Sequence, residues 1–407
     1  MIPLQKNRRV TLPILLCLAA LWYLPAPAQA QVAPVTGAVF NDPNDAVNKR
    51  AVSNKLKELI GSADSGSTIR IAIYEFHDST IKDALKAARA RGVNVQVVAD
   101  YESRRYASGA LNPTWTDLEN AFGTNKAAPS WVMTCPLGRA CIGSGKLMHN
   151  KFALFSSVAG VKVVFQSSAN FYVDSGGFSG DGNWNNAMTV AGNVGLYDSY
   201  YRYFGDLKDM RRTDDQYNKY SDSYKEHGNF KPYYFPRAGT DASTDTIVSV
   251  LNNVDCTKRN NVSTGTVYHQ TIVRVAMAYF TRQEVADKLR SMDNAGCYVE
   301  VIYRKDSITS TVEAALKADR TGTYHGIRSW YLPADVTRTL HSKYLAIEGN
   351  YVGYPDMKLV WTGSHNYTYP ALRGNDEVLL RVDDNGIHDA FRQNFWDITR
   401  AAGIMSN

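Results

Sequence analysis

Residues 340–348 carry His341, Lys343 and Glu348 in the pattern H-x-K-x4-E, followed by Ser364 and Asn366 in a G-S-x-N turn and by Asn375-Asp376-Glu377. The alternation through this stretch predicts a strand, so His341 and Lys343, two apart, share a face. A neutral imidazole can attack or protonate, while an ammonium, a hydroxyl and a carboxamide can hold anionic oxygens. Residues 147–155 repeat the arrangement with His149 and Lys151, trailed by Ser168 and Asn170. Two sets of His, Lys, Ser and Asn meeting at one interface would supply a nucleophile, an acid and the cations that phosphodiester hydrolysis needs. That chemistry calls for no metal and no cofactor.

The duplicated H-x-K with trailing S-x-N resembles the phospholipase D superfamily, over nearly all of the chain after residue 30. The resemblance implies a metal-independent phosphodiesterase with a covalent phosphohistidine. His149 would be the nucleophile and His341 the general acid and base. Lys151, Lys343, Asn170 and Asn366 would bind phosphate oxygens, with Ser168 and Ser364 in support. Glu377, eleven residues after Asn366, stands where a carboxylate orients a catalytic histidine through one ring nitrogen. Departures from the pattern touch the third motif position, which is Ser156 in the first copy and Glu348 in the second. Ala187 is read as the counterpart of Glu377, which leaves His149 with no evident carboxylate from its own half.

The elements that must position these residues also occur twice. A helix over 45–60, a strand over 68–76, a helix over 83–91 and a strand over 93–98 make a βαβ unit, which returns over 272–303. Phe76 and Phe280, and Gly92 and Gly296, stand 204 apart, whereas His149 and His341 stand 192 apart. The first half therefore holds twelve additional residues before its histidine, in the region of Cys135 and Cys141. The expected fold is α/β, with two pseudo-symmetric α/β/α halves, each a mixed, mostly parallel sheet flanked by helices. The halves are placed at 31–210 and 247–407. Between them lies a polar connector, 211–246, expected to be exposed, whose Tyr217, Tyr220, Tyr224, Tyr233 and Tyr234 are expected in ordinary half-buried packing, with a lipid or base platform as the alternative.

Residues 1–30 have Lys6, Arg8 and Arg9 before an apolar run and end on Ala28-Gln29-Ala30, which reads as a secretory signal peptide cleaved after Ala30. Of the net charge of +6, three positive charges lie there, leaving +3, too mild to imply a polyanion-binding groove. No later segment is apolar enough to span a bilayer. The remaining cysteines, Cys135, Cys141, Cys256 and Cys297, suit two disulfides in a secreted or periplasmic protein. Four cysteines permit three pairings, and the short spacing favours Cys135–Cys141 with Cys256–Cys297. A monomer releasing phospholipid head groups at a membrane surface is expected, with transfer to alcohols as a side reaction. An extracellular nuclease and a weakly catalytic phosphate-binding protein are the alternatives. Phe171, Tyr172, Phe178, Trp184, Tyr367 and Tyr369 are expected at the site mouth, and the glycine-rich stretch 176–182 is a candidate gate.

Overall fold

The computed structural model describes Met1 and residues 32–172, 182–220, 226–258, 260–261, 268–317, 326–333 and 338–402. The expected signal peptide after Met1, most of the glycine-rich stretch, Phe178 and Tyr224 lie outside the described residues. The two halves and the site belong to the unit Ala33–Asn407.

The first half runs β1 (Gly37–Phe40), α1 (Ala51–Gly61), β2 (Thr68–Ile73), α2 (Ser79–Ala90), β3 (Asn94–Ala99), α3 (Pro113–Phe122), β4 (Trp131–Thr134), β5 (Lys151–Val158), β6 (Val161–Ser167), β7 (Asn186–Ala191) and α4 (Val194–Asp209). After a short α5 (Gln216–Lys219) the second half repeats this order. It comprises β8 (Phe230–Phe235), α6 (Thr246–Leu251), a two-stranded ribbon of β9 (Asn260–Asn261) and β10 (Tyr268–His269), β11 (Ile272–Met277), α7 (Gln283–Asn294), β12 (Tyr298–Arg304), α8 (Ser310–Lys317), β13 (Arg328–Leu332), β14 (Lys343–Tyr351), β15 (Tyr354–Gly363), α9 (Tyr369–Arg373), β16 (Glu377–Asp383) and α10 (Asn385–Ala402).

Each half builds a seven-stranded sheet, ordered β1-β7-β6-β5-β2-β3-β4 and β13-β12-β11-β14-β15-β16-β8. The local causes are plain at α2, where the Asp78 carboxylate caps the amides of Thr80 and Ile81. Gly92, at φ +90°, then turns the chain into β3. The sheets are mixed, but the balance differs from the expected mostly parallel one. Among the described strands, β2–β3–β4 and β11–β12–β13 pair in parallel, each step crossing over through α2, α3, α7 or α8. The hairpins β5–β6–β7 and β14–β15–β16 are antiparallel.

Alternation sorts each strand between two cores. Phe152, Leu154, Tyr344 and Ala346 point into a central cluster that contains α4 and α10 and draws on both sheets. Ala153 and Phe155 pack under α1, α2 and α3, and Leu345 and Ile347 under α6, α7 and α8. The shared central core makes the two halves one body.

The segment expected as an exposed connector is exposed only in part, and buries one strand and several tyrosines. It supplies β8, an edge strand antiparallel to β16 just as β1 is to β7. Tyr217, Tyr233 and Tyr234 are core residues, with Tyr234 stacked on Tyr203 at 4.5 Å. Disulfides join Cys135 to Cys141 and Cys256 to Cys297. Among the described residues no helix is long and apolar enough to cross a membrane.

Candidate active site

Both H-x-K motifs sit at the seam between the halves. Met148 pairs with Asp376, and Leu340 with Trp184, in two isolated parallel bridges. The His149 amide donates to the Asp376 carbonyl at 2.9 Å and the His341 amide to the Trp184 carbonyl at 2.9 Å. Each histidine lies just before its strand, β5 or β14, where one half leans on the other. The offset of 192 that relates the histidines also relates Trp184 to Asp376 and Asn185 to Glu377. The structural counterpart of Glu377 is therefore Asn185, not Ala187, which lies within β7 opposite Ser167.

The orienting contacts cross the seam. Glu377 Oε1 lies 2.8 Å from His149 Nδ1, and Asn185 Oδ1 lies 3.0 Å from His341 Nδ1. The missing carboxylate of the first half is thus supplied by the second. Serines set both acceptors: the Ser364 hydroxyl donates to Glu377 at 2.5 Å and the Ser168 hydroxyl to Asn185 at 2.8 Å. With Nδ1 of His341 hydrogen-bonded and Nδ1 of His149 at ion-pair distance from Glu377, Nε2 of each ring is left for chemistry. Lys151 and Lys343, both buried, donate to the carbonyls of His149 at 2.9 Å and His341 at 2.6 Å. One cavity of about 640 Å³ is lined by His149, His341, Asn170, Asn366 and Glu377, with Tyr74, Glu75, Tyr172 and Tyr279 on its wall.

Burial dominates the electrostatics. It holds both imidazoles well below the usual histidine range, and the ammonium groups of Lys151 and Lys343 add to that. Burial lowers Lys151 to about 8 and Lys343 well below its ordinary value. It pushes Glu377 up to about 8, against the pull of Lys151. Two lysines and two histidines around one carboxylate are costly to charge out of water, and a bound phosphate would restore their protons.

One consequence is measurable as stability. The carboxyl of Glu377 rises from an ordinary 4.5 to about 8 on folding, so its contribution is complete below 4.5 and is lost as pH climbs through 8. Glu377→Gln cannot ionise. Denaturant titrations should find it close to the parent at pH 5 and more stable at pH 9, by on the order of 1 kcal/mol or more. A variant less stable at both values would refute this burial cost.

Other expected residues fall elsewhere. The Ser156 hydroxyl accepts from the Thr68 amide at 2.8 Å, toward the far end of β5 from the histidine, and Glu348 lies 3.5 Å from Arg274. Neither lines the cavity, so the departures at the third motif position are matters of strand packing. Of the aromatics expected at the mouth, Phe171 and Tyr367 are buried against Phe76 and Phe280, and Trp184 is in the central core. Tyr172 lines the cavity and Tyr369 is exposed. Glu75, Tyr74 and Asn185 are not among the residues the motifs predict; the 192 offset is the signal that finds Asn185.

This two-halved fold, with its paired histidines, is that of the phospholipase D superfamily, whose members act as phosphodiesterases and phosphotransferases. The sequence profile described as "Cardiolipin synthase, PLD-like domain" matches residues 56–207 and 269–399, and the chain belongs to that family. Phosphatidylserine synthase from Haemophilus influenzae superposes with a TM-score of 0.58 at 14% identity, over 89% of this chain and 86% of that one. Polyphosphate kinase from Porphyromonas gingivalis gives 0.55 at 17% identity, over 91% of this chain and 50% of that one. This chain therefore spans half of the kinase's length, and at such identities the likeness is one of fold. No curated protein sequence matches this one.

Proposed function

We propose that the protein is an exported phospholipase D-type enzyme that releases phospholipid head groups through a phosphohistidine on His149. The observation that carries the reading is the pair of imidazoles on one cavity, each with its Nδ1 facing a side chain of the opposite half. The two holders differ, and the difference supports the roles. In its ionised form, favoured by the ammonium groups of Lys151 and Lys343 and reached above about pH 8 in the free protein, Glu377 strengthens His149 Nε2 as a nucleophile and stabilises the positive ring that phosphorylation creates. A neutral carboxamide at His341 leaves that ring readier to give up its proton. His149 Nε2 bonds to phosphorus while the bond to the head-group oxygen breaks and His341 protonates that oxygen. Water then attacks, His341 takes its proton, the P–N bond breaks and phosphatidic acid leaves. An alcohol replacing the water gives transfer. The lysines and Asn170 and Asn366 carry the non-bridging oxygens.

Glu75 favours lipid over nucleic acid. Its Oε2 accepts from Asn170 Nδ2 at 2.9 Å, and burial raises its carboxyl to about 7. A carboxylate beside the phosphate ligands repels a polyanion, and in a cavity walled by Tyr74, Tyr172 and Tyr279 it suits an ammonium head group. The leader segment and the two disulfides support export.

The direct test incubates purified protein with chelator on phosphatidylethanolamine vesicles, phosphatidylglycerol vesicles and plasmid DNA side by side. Head-group release is expected; plasmid degradation without it would assign a nuclease. Glu75→Gln should reduce the preference for the amine head group over glycerol by roughly tenfold, the worth of one charge-assisted contact. An unchanged ratio of kcat/KM values removes Glu75 from recognition.

A further inference from the structure

The residues before Glu377 are gripped by the segment that links β4 to β5. Cys135 and Cys141 close a loop with a sequence separation of 6. The chain emerging from it donates the amides of Ile142, at 3.0 Å, and Gly143, at 2.8 Å, to the buried carboxylate of Asp376. The Gly145 amide donates to the Gly374 carbonyl at 2.9 Å. A Cβ on Gly143 would stand 2.0 Å from that same carbonyl oxygen, so the two backbones are in direct apposition and only glycine fits. The backbone of Asp376 in turn brackets the nucleophile's segment, donating to the Leu147 carbonyl at 3.1 Å and accepting from the His149 amide at 2.9 Å. The pseudo-symmetric position holds Trp184, which has no carboxylate, and the second half has no such disulfide loop. The grip thus belongs to the Glu377–His149 side alone.

We propose that Asp376, seated in the amides that follow the Cys135–Cys141 disulfide, is a positioning residue that sets the Glu377–His149 contact. The disulfide fixes where those amides point, the amides fix Asp376, and Glu377 is its chain neighbour. Opening this disulfide therefore costs turnover, whereas opening Cys256–Cys297, which joins residues that do not line the site, does not. The proposal rests on the reading of His149 as nucleophile.

The experiment compares wild type, Asp376→Ala, Asp376→Asn, Cys135→Ser/Cys141→Ser and Cys256→Ser/Cys297→Ser on bis(p-nitrophenyl) phosphate. The ring nitrogens of His149 are followed by NMR in the same samples. Asp376→Ala and the first cysteine pair should lose about 10–100-fold in kcat with KM little changed, and both should move the His149 Nδ1 resonance. Asp376→Asn, which keeps one acceptor for the amides, should recover part of kcat. The second cysteine pair should lose thermal stability but keep kcat and the resonance. Wild type that never cleaves the diester would contradict the assigned function and leave the NMR comparison to decide the positioning. Unshifted His149 resonances, or equal kcat losses for both cysteine pairs, would overturn the proposal itself.

Discussion

His149→Ala should remove the covalent intermediate and lower turnover of every diester by roughly a hundredfold or more, the scale of a lost nucleophile or acid–base group. His341→Ala has a comparable effect on a lipid, whose head-group alkoxide leaves poorly without a proton. With p-nitrophenolate as leaving group the two variants should part. That anion needs no protonation, so His341→Ala keeps a fast first step and then stalls, because the same imidazole must activate water. His149→Ala shows no first step with either substrate. The contrast follows from the unequal partners of the two rings, a carboxylate at 2.8 Å for His149 and a carboxamide at 3.0 Å for His341. Equal first-step losses with the nitrophenyl substrate would return the two histidines to interchangeable roles.

Lys151→Met should lower turnover by about a hundredfold to a thousandfold, as removal of one preorganised oxyanion donor does, and leave a fold at least as stable. The ammonium is buried and its pKa falls from 10.5 to about 8, with burial the leading cause. The unfolded chain therefore binds the more protons between about 8 and 10.5, and stability rises with pH across that window. The methionine variant lacks the burial cost and should show no such rise. Its compensating loss is the hydrogen bond from Nζ to the His149 carbonyl. Denaturant curves at pH 7 and pH 10 read both effects. A variant that is less stable than the parent at pH 7 and equally active would remove Lys151 from phosphate binding. A site that is stabler without its lysine is the usual signature of charge kept for function.

The duplication is legible because its signals are local. Period-two alternation marks β5 and β14, and the 192 and 204 offsets survive along the chain without any knowledge of contacts. The features that escape a sequence reading depend on pairing across the fold. Strand β8 contains Lys231 and Pro232, which read as a polar connector, yet Pro232 is tolerated because β8 is an edge strand bonded only to β16. Asn185 is missed when the register is counted from Asn170, because the loop between the two motif elements differs in length between the halves. Counting from the histidines finds it. Phe171 and Tyr367 follow turn residues and so read as exposed, but each folds back onto a phenylalanine at the end of its own βα connection. Glu75 gives no sign in sequence that it faces a cavity. Its acceptor role toward Asn170 joins residues 95 apart.

Double displacement through His149, at one site shared by both halves, is tested most directly by trapping the intermediate. His341→Ala should accumulate it, so that variant is quenched with alkali during reaction with a nitrophenyl phosphodiester and its peptides are analysed by mass. A phosphoryl adduct is expected on the peptide containing His149, stable to base, lost in acid and absent from His149→Ala. Continued turnover with no adduct, or an adduct on any other residue, would contradict the displacement.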